Sequence, residues 1–309
     1  MISESYFQSN PNLSHGFFKR IYSDHPLELY LGFDNKNRMA FELREHFIPR
    51  DIKGTSSIEI TQFENDKYNT IRFSLVDEEI KEQFYVFCDD LINYTKNAIA
   101  GSGYSSVVQR FSQWKHLFFL KGSRCLSENQ VLGLIGELTY LQNVLFKNFS
   151  QSDAILSWVG PNLAHKDFSY DSKWIEIKSV HKKDSSVHIS SLEQLHTSKN
   201  EQGFLVIYTF EKMSPKFDGI SINKLVTSIL KEIEYPDDKA NFISKLQSVG
   251  YEYNKVYDQY VFNQISVNTY KIEEGFPSLT IETVPKGILK ADYDISILEL
   301  SKYEIKGKE

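Results

Sequence analysis

Two carboxylates and a lysine near the middle of this 309-residue chain have the types and the spacing to do chemistry. In Trp174-Ile175-Glu176-Ile177-Lys178-Ser179, alternate residues of a strand share a face. Glu176 is thereby grouped with Lys178, while Ile175 and Ile177 turn the other way, into the core. Asp167 lies upstream, in His165-Lys166-Asp167-Phe168. With a hairpin loop of two or four residues around Asp171-Ser172, Asp167 stands across from Glu176 and Phe168 across from Ile175. A three-residue loop instead puts the two carboxylates on opposite faces. Facing carboxylates repel, by up to ~1 kcal/mol relative to a neutral pair, and a divalent cation between them relieves this. A hard cation such as Mg²⁺ takes oxygen ligands and keeps several waters, leaving room for a phosphate. A lysine on the same face then stabilises charge developing on that phosphate or orients the attacking water.

A third acid sits on the helix expected before these strands. Ser127 with Gln130 fits a capping box, and Val131, Leu134, Ile135, Leu138, Leu141 and Leu145 form one apolar stripe. Glu137 falls roughly 90° from the middle of that stripe, at its edge. Gly133 and Gly136 flank it. A mid-helix glycine costs about 1 kcal/mol against alanine, so something is expected to approach this surface closely. An acidic-x-Lys tripeptide alone carries little weight, since others begin at Asp34, Asp51, Glu79, Asp171, Asp237 and Glu304. Most such charges are solvated, each pair worth ~0–1 kcal/mol. Glu176 differs because its strand is apolar, an Asp is brought opposite, and a helix with an edge Glu precedes it.

The surrounding elements follow from periodicity. Leu27/Leu29/Leu31, Met39/Phe41/Leu43, Ile58/Ile60 and Ile71/Phe73/Leu75 alternate, so residues 1–75 read as β-rich. Helical spacing follows at 77–99 and 105–119, separated by Gly101-Ser102-Gly103. After the capped helix, strands are expected at 154–159, 164–170 and 173–180, then an extended Val187-His188-Ile189, a helix at 191–198 and a strand at 204–208. Residues 221–248 return to helix. Residues 256–309 read mostly as strands, with a turn around Gly275-Phe276-Pro277. The fold class expected is therefore α/β, with a domain boundary near 125. Residues 1–125 form a β-rich, then helical, N-terminal region, and 126–309 form the domain that carries the carboxylates.

Composition narrows the functions available. With 22 Phe, 18 Tyr and 3 Trp the chain can bury a large core, which excludes disorder. The net charge of −6 argues against a general nucleic-acid-coating protein, although local field rather than net charge holds a phosphate backbone. Cys88 and Cys125 cannot build a disulfide framework and are expected to pack, and no Cys/His cluster has zinc-like spacing. The N-terminus does not read as a signal peptide, and no apolar run approaches the ~18 residues needed to span a bilayer. A reducing, cytoplasmic location is the expectation.

The residues Glu137, Asp167, Glu176 and Lys178 resemble the motif of the PD-(D/E)XK nuclease superfamily, whose α-β-β-β-α-β core matches the element order read at 127–210. The position before the first acid is Lys166 here, where the motif has Pro. More narrowly, the chain resembles a bacterial family of predicted PD-(D/E)XK proteins associated with restriction and phage-defence gene clusters. That resemblance is carried by Gly133-Leu134-Ile135-Gly136-Glu137-Leu138, Trp158-Val159-Gly160-Pro161, Asp167-Phe168, Glu176-Ile177-Lys178-Ser179 and Ser190-Ser191-Leu192-Glu193-Gln194-Leu195. Gly275-Phe276-Pro277 and Tyr293-Asp294-Ile295 fit as well. The resemblance implies a restriction-endonuclease-like αβββαβ core with a C-terminal α+β extension, and a DNA endonuclease that uses Mg²⁺, with Mn²⁺ able to substitute. It implies metal binding by Asp167, Glu176 and the Ile177 carbonyl. Lys178 would polarise water or phosphate, and Glu137 would orient a water or complete the metal shell.

Neighbouring residues supply candidate substrate contacts. Ser190 and Gln194 follow the motif strand and can reach phosphate or base edges, although a Gln near a helix start also serves as a cap. Lys182 and Lys183, beside His181, lie where a DNA backbone would pass, or simply form a charged loop. His165 falls across from Lys178 in the hairpin register above. Trp158-Val159-Gly160-Pro161 is read as structural, ending a strand. The tyrosines from 251 to 260 are read as packing rather than base stacking. Cutting a duplex requires two sites, so a homodimer or a multi-protein complex is expected. The rival readings are a non-cleaving DNA-binding or partner-docking subunit on the same fold, and an RNase.

Overall fold

The computed structural model describes residues 15–99, 101–115, 117–118, 125–162 and 165–305, with positions 2, 6, 10 and 13. The chain forms two compact units, Met1–Cys125 with Leu230–Asn254, and Leu126–Ile229 with Lys255–Glu309. The single break expected near 125 is therefore not the only one. Residues 230–254 belong with the N-terminal unit rather than with the C-terminal extension.

In the first unit, β1 (Phe18–Arg20), β2 (Glu28–Phe33), β3 (Met39–Glu45), β4 (Ile58–Glu64) and β5 (Asn69–Leu75) form an antiparallel sheet in the order β1-β2-β3-β5-β4. The alternation read from sequence builds its buried face, with Leu29, Leu31, Phe41, Leu43, Ile71 and Phe73 all buried. Against that face pack α1 (Lys81–Tyr94) and α2 (Gly103–Trp114). The Phe73 ring lies 5.7 Å from that of Phe87 and 5.2 Å from that of Phe111, and each such buried side chain contributes about 1.5–3 kcal/mol. Both helices are shorter than their periodic stretches, and positions 116 and 119 of the second stretch lie outside the described residues. Inside this core Arg110 is fully buried. Its guanidinium donates to Asp90 Oδ1 at 2.8 Å, and the Trp114 indole donates to Asp90 Oδ2 at 2.6 Å.

The second unit opens with α3 (Glu128–Tyr140), which starts at Ser127 with both halves of the capping box formed and runs on through a π-type turn at Leu141–Leu145. Next comes α4 (Gln151–Ser157), where a strand was expected over 154–159. The Ser150 hydroxyl caps this helix by accepting from the Asp153 N–H, and that N-terminal stop outweighs the short apolar run that reads as extended. The hairpin β6 (Phe168–Tyr170) and β7 (Lys173–His181) follows, and position 164 of the predicted strand lies outside the described residues. β8 (Ser186–Ile189) leads to β9 (Gln202–Met213) and α5 (Ile222–Glu232), and after α6 (Pro236–Ser248), which belongs to the first unit, come β10 (Val261–Ile272) and β11 (Tyr293–Ser296). Pro236 at the start of α6 divides the predicted 221–248 helix, as an interior proline must. A 3-10 segment, Ile297–Tyr303, replaces part of the strand content expected at the C-terminus.

The fold is mixed α/β, and it departs from the αβββαβ order read from sequence, beginning with α4 in place of the first expected strand. The main sheet runs β10-β9-β7-β6, with β7 and β9 parallel, while β8 leaves it to pair with β11. The helix expected at 191–198 is a turn over 192–195. β8, this turn and the C-terminal segment form a second apolar layer. Val187, Ile189, Leu195, Ile295 and Leu300 pack with Trp174, Val180, Leu205 and Ile207. The face of β7 that bears Glu176 and Lys178 is consequently roofed over, not left open to solvent. No helix among the described residues is long and apolar enough to cross a membrane.

Candidate active site

The hairpin decides how the first two acids meet. Asp171 takes φ 52°, a left-handed conformation that Asp tolerates, and closes a two-residue loop with Ser172. Phe168 therefore pairs with Ile175 and Tyr170 with Lys173. One residue beyond the ladder, the Asp167 N–H donates to the Ile175 carbonyl at 3.2 Å, which brings Asp167 beside Glu176. The ladder ends there. His165 is exposed and does not face Lys178.

Each side chain has an identifiable support. The Ile177 N–H donates to Asp167 Oδ2 at 2.7 Å. Glu176, only 2% exposed, lies between Trp174 and Val180 on the roofed face, and its Oε1 is 3.0 Å from Lys178 Nζ. Glu176 Oε2 is buried and has no hydrogen-bond partner among the described residues. Lys178 also donates to Gln194 Oε1 at 3.1 Å, and the Ser190 N–H donates to the same oxygen at 2.9 Å. Glu137 is held from the side by the Trp158 indole N–H, which donates to its Oε2 at 2.7 Å. The close approach expected near Glu137 occurs at Gly136, where a Cβ would collide with the Ser179 hydroxyl and crowd Ile177. Among the described residues, nothing lies within 4 Å of a Cβ placed at Gly133. Gly160 is a second close approach, since a Cβ there would stand 3.2 Å from Asp167 Oδ1 and 3.6 Å from Glu137 Oε2.

Burial and mutual repulsion dominate the electrostatics. Burial, then Asp167, pushes the Glu176 carboxyl up to about 8 against the pull of Lys178. Asp167 is raised to about 6 by burial, opposed by its bond from Ile177 and by Lys178 and Lys166. Glu137 is driven well above the usual carboxylate range by burial and by Asp167. Burial lowers Lys166 to about 8. Three neighbouring acids thus resist ionising together, because burial and mutual repulsion both disfavour their charged forms. Among the described residues, no three or more His, Cys, Asp or Glu side chains are gathered to a common point.

The expected substrate contacts divide. Gln194 and Ser190 reach the site, but the Gln194 carbonyl oxygen already accepts two bonds, which leaves only its amide N–H groups for a ligand. Reading adenine through both ends of that amide is therefore closed to it. Lys182 and Lys183 are exposed, and Lys182 pairs with Glu211 at 3.2 Å. They line a cleft of about 590 Å³ at the end of β7, and Lys183 also borders a second of about 710 Å³. Glu137, Asp167 and Glu176 line neither. Tyr251, Tyr253 and Tyr257 are buried, so they offer no stacking surface. Cys88 is buried, whereas Cys125 is exposed, contrary to the packing expected of both. Trp158 and Lys166 are the site residues that sequence reasoning missed.

Comparison with known families fits this geometry. A family model described as "Putative PD-(D/E)XK family member, (DUF4420)" matches residues 9–298. The chain belongs to the DUF4420 family. No curated protein and no solved structure matches it.

Proposed function

We propose that this chain is a metal-dependent DNA endonuclease, acting in the restriction or phage-defence setting that its resemblance implies. The observation carrying the reading is the buried Glu176 Oε2, left without a hydrogen-bond partner among the described residues, beside Asp167. A buried carboxylate oxygen normally has a donor, and its desolvation is costly without one. A divalent cation satisfies both acids at once. Asp167 and Glu176 would hold it together with the Ile177 carbonyl. That carbonyl points to the same side as the Ile177 N–H that meets Asp167, because both groups of a strand residue face one neighbour. When bound, a Mg²⁺ or Mn²⁺ ion supplies Lewis-acid polarisation of a phosphate and a more acidic water.

The protein's own groups do the remainder. Lys178, held between Glu176 and Gln194, presents a charged donor to the scissile phosphate or its attacking water. Glu137, fixed by Trp158, orients a water or completes the metal shell. Ser190, the Gln194 amide N–H groups, Lys182 and Lys183 contact the substrate backbone. One such site per chain cuts one strand, so a homodimer or a partner subunit completes a double-strand break. Calorimetric titration with Mn²⁺ tests the metal site. Binding is expected for the wild type and lost in Asp167→Asn and Glu176→Gln, and equal binding by all three would remove the site.

A non-cleaving DNA-binding module is the second reading, favoured by the acids not being gathered to a common point. It predicts DNA affinity that survives both EDTA and Glu176→Gln, with no cutting under any ion.

A further inference from the structure

We propose that Lys166 is a positioning residue, whose ammonium folds the turn after β8 and through it sets the direction of Lys178. The kinetic part of this inference rests on the nuclease reading, and the structural part does not. Lys166 Nζ donates to three backbone carbonyls, those of Glu193 at 2.8 Å, Gln194 at 2.7 Å and His196 at 2.8 Å. An ammonium has three donors, and all three are used. The same Nζ lies 3.4 Å from the centroid of the Trp174 ring, in cation–π contact.

This arrangement accounts for the helix that does not form at 191–198. In a helix these carbonyls would point along one axis toward the N–H groups four residues on. Here they converge on a single cation supplied from the other end of the hairpin. The folded turn then carries Gln194 inward, where its Oε1 accepts from Lys178 and from the Ser190 N–H. A contact network runs from Lys166 through the turn backbone and the Gln194 amide to Lys178 Nζ. Because Lys166 adjoins Asp167, the first acid and the turn are placed by the same dipeptide. Packing alone does not call for a charge here. An apolar side chain of similar length would cover Trp174 without the cost of desolvating an ammonium, whereas gathering three carbonyls requires a cation or several N–H donors.

The test compares wild type, Lys166→Met, Gln194→Ala and the double variant, by amide hydrogen exchange at Ser190 and residues 193–196 and by plasmid cleavage kinetics. Lys166→Met is expected to accelerate exchange at Ser190 by about tenfold or more. Its kcat is expected to fall about tenfold with KM within about twofold, and the double variant to be no slower than Gln194→Ala alone. If Lys166→Met does not fold, Lys166→Gln, which keeps two N–H donors, is used in its place with the same expectations at smaller amplitude. Wild-type exchange at Ser190 in a folded Lys166 variant would overturn the inference, as would kinetic losses that multiply in the double variant. A wild type that cuts nothing would refute the nuclease reading alone, and the exchange measurement would still decide the role of Lys166.

Discussion

The Glu176 carboxyl is a charge held at a cost, and that cost can be measured without any substrate. Burial lifts it from 4.5 to about 8. At about 1.4 kcal/mol per pH unit, the lift corresponds to on the order of 5 kcal/mol between the protonated and ionised forms. Between pH 4.5 and 8 the folded protein keeps a proton on Glu176 that the unfolded chain has released. Stability of the metal-free protein therefore falls as pH rises through that window, and the loss is complete above about 8. Glu176→Gln keeps the size and the contact to Lys178 but cannot ionise. In urea denaturation with EDTA, the variant and wild type should be similar near pH 5. At pH 8.5 the variant should be the more stable, by a few kcal/mol at most. Mn²⁺ should then raise the stability of the wild type and not of the variant. The reasoning is refuted if Glu176→Gln is destabilised equally at both pH values, or if the wild-type slope is unchanged by the substitution.

Two further substitutions test the packing inside each unit. A Cβ at Gly203 would collide with the rigid Trp174 ring and stand 2.8 Å from Thr197 Oγ1, so Gly203→Ala should cost about 1–3 kcal/mol in urea denaturation. Adding Trp174→Leu should recover part of that cost. In the first unit, Arg110→Met strands the fully buried Asp90 without its main partner and should cost about 3–5 kcal/mol by the same measurement. Metal affinity of the folded fraction should be unchanged.

Local rules with short reach were legible in the sequence. The Asp171-Ser172 turn was legible, although the sequence leaves its length open, and the two-residue loop found in the structure is a choice that puts Asp167 beside Glu176. The Ser127/Gln130 capping box located α3, and the edge position of Glu137 followed from about 100° per residue. Long-range interactions were not legible. Lys166 acts on carbonyls 27 to 30 residues away, and nothing local to 191–198 announces that its backbone bonds are taken by a side chain. β8 reads only as a short extended piece, because its partner β11 lies more than a hundred residues later. The burial of Glu176 follows from that same layer, so its raised protonation range could not be read from the alternation of β7. Trp158 gave no signal because its indole reaches Glu137 from the end of α4, a helix hidden under a strand-like run.

The most direct test of the central claim is plasmid cleavage by purified wild type, Glu176→Ala and Lys178→Ala, assayed in parallel on supercoiled and linear DNA with Mg²⁺ or Mn²⁺. The predicted result is ion-dependent nicking or cutting by the wild type that EDTA stops and both variants lose while remaining folded. Cleavage that survives both substitutions, or a wild type that leaves DNA intact with either ion, would contradict it.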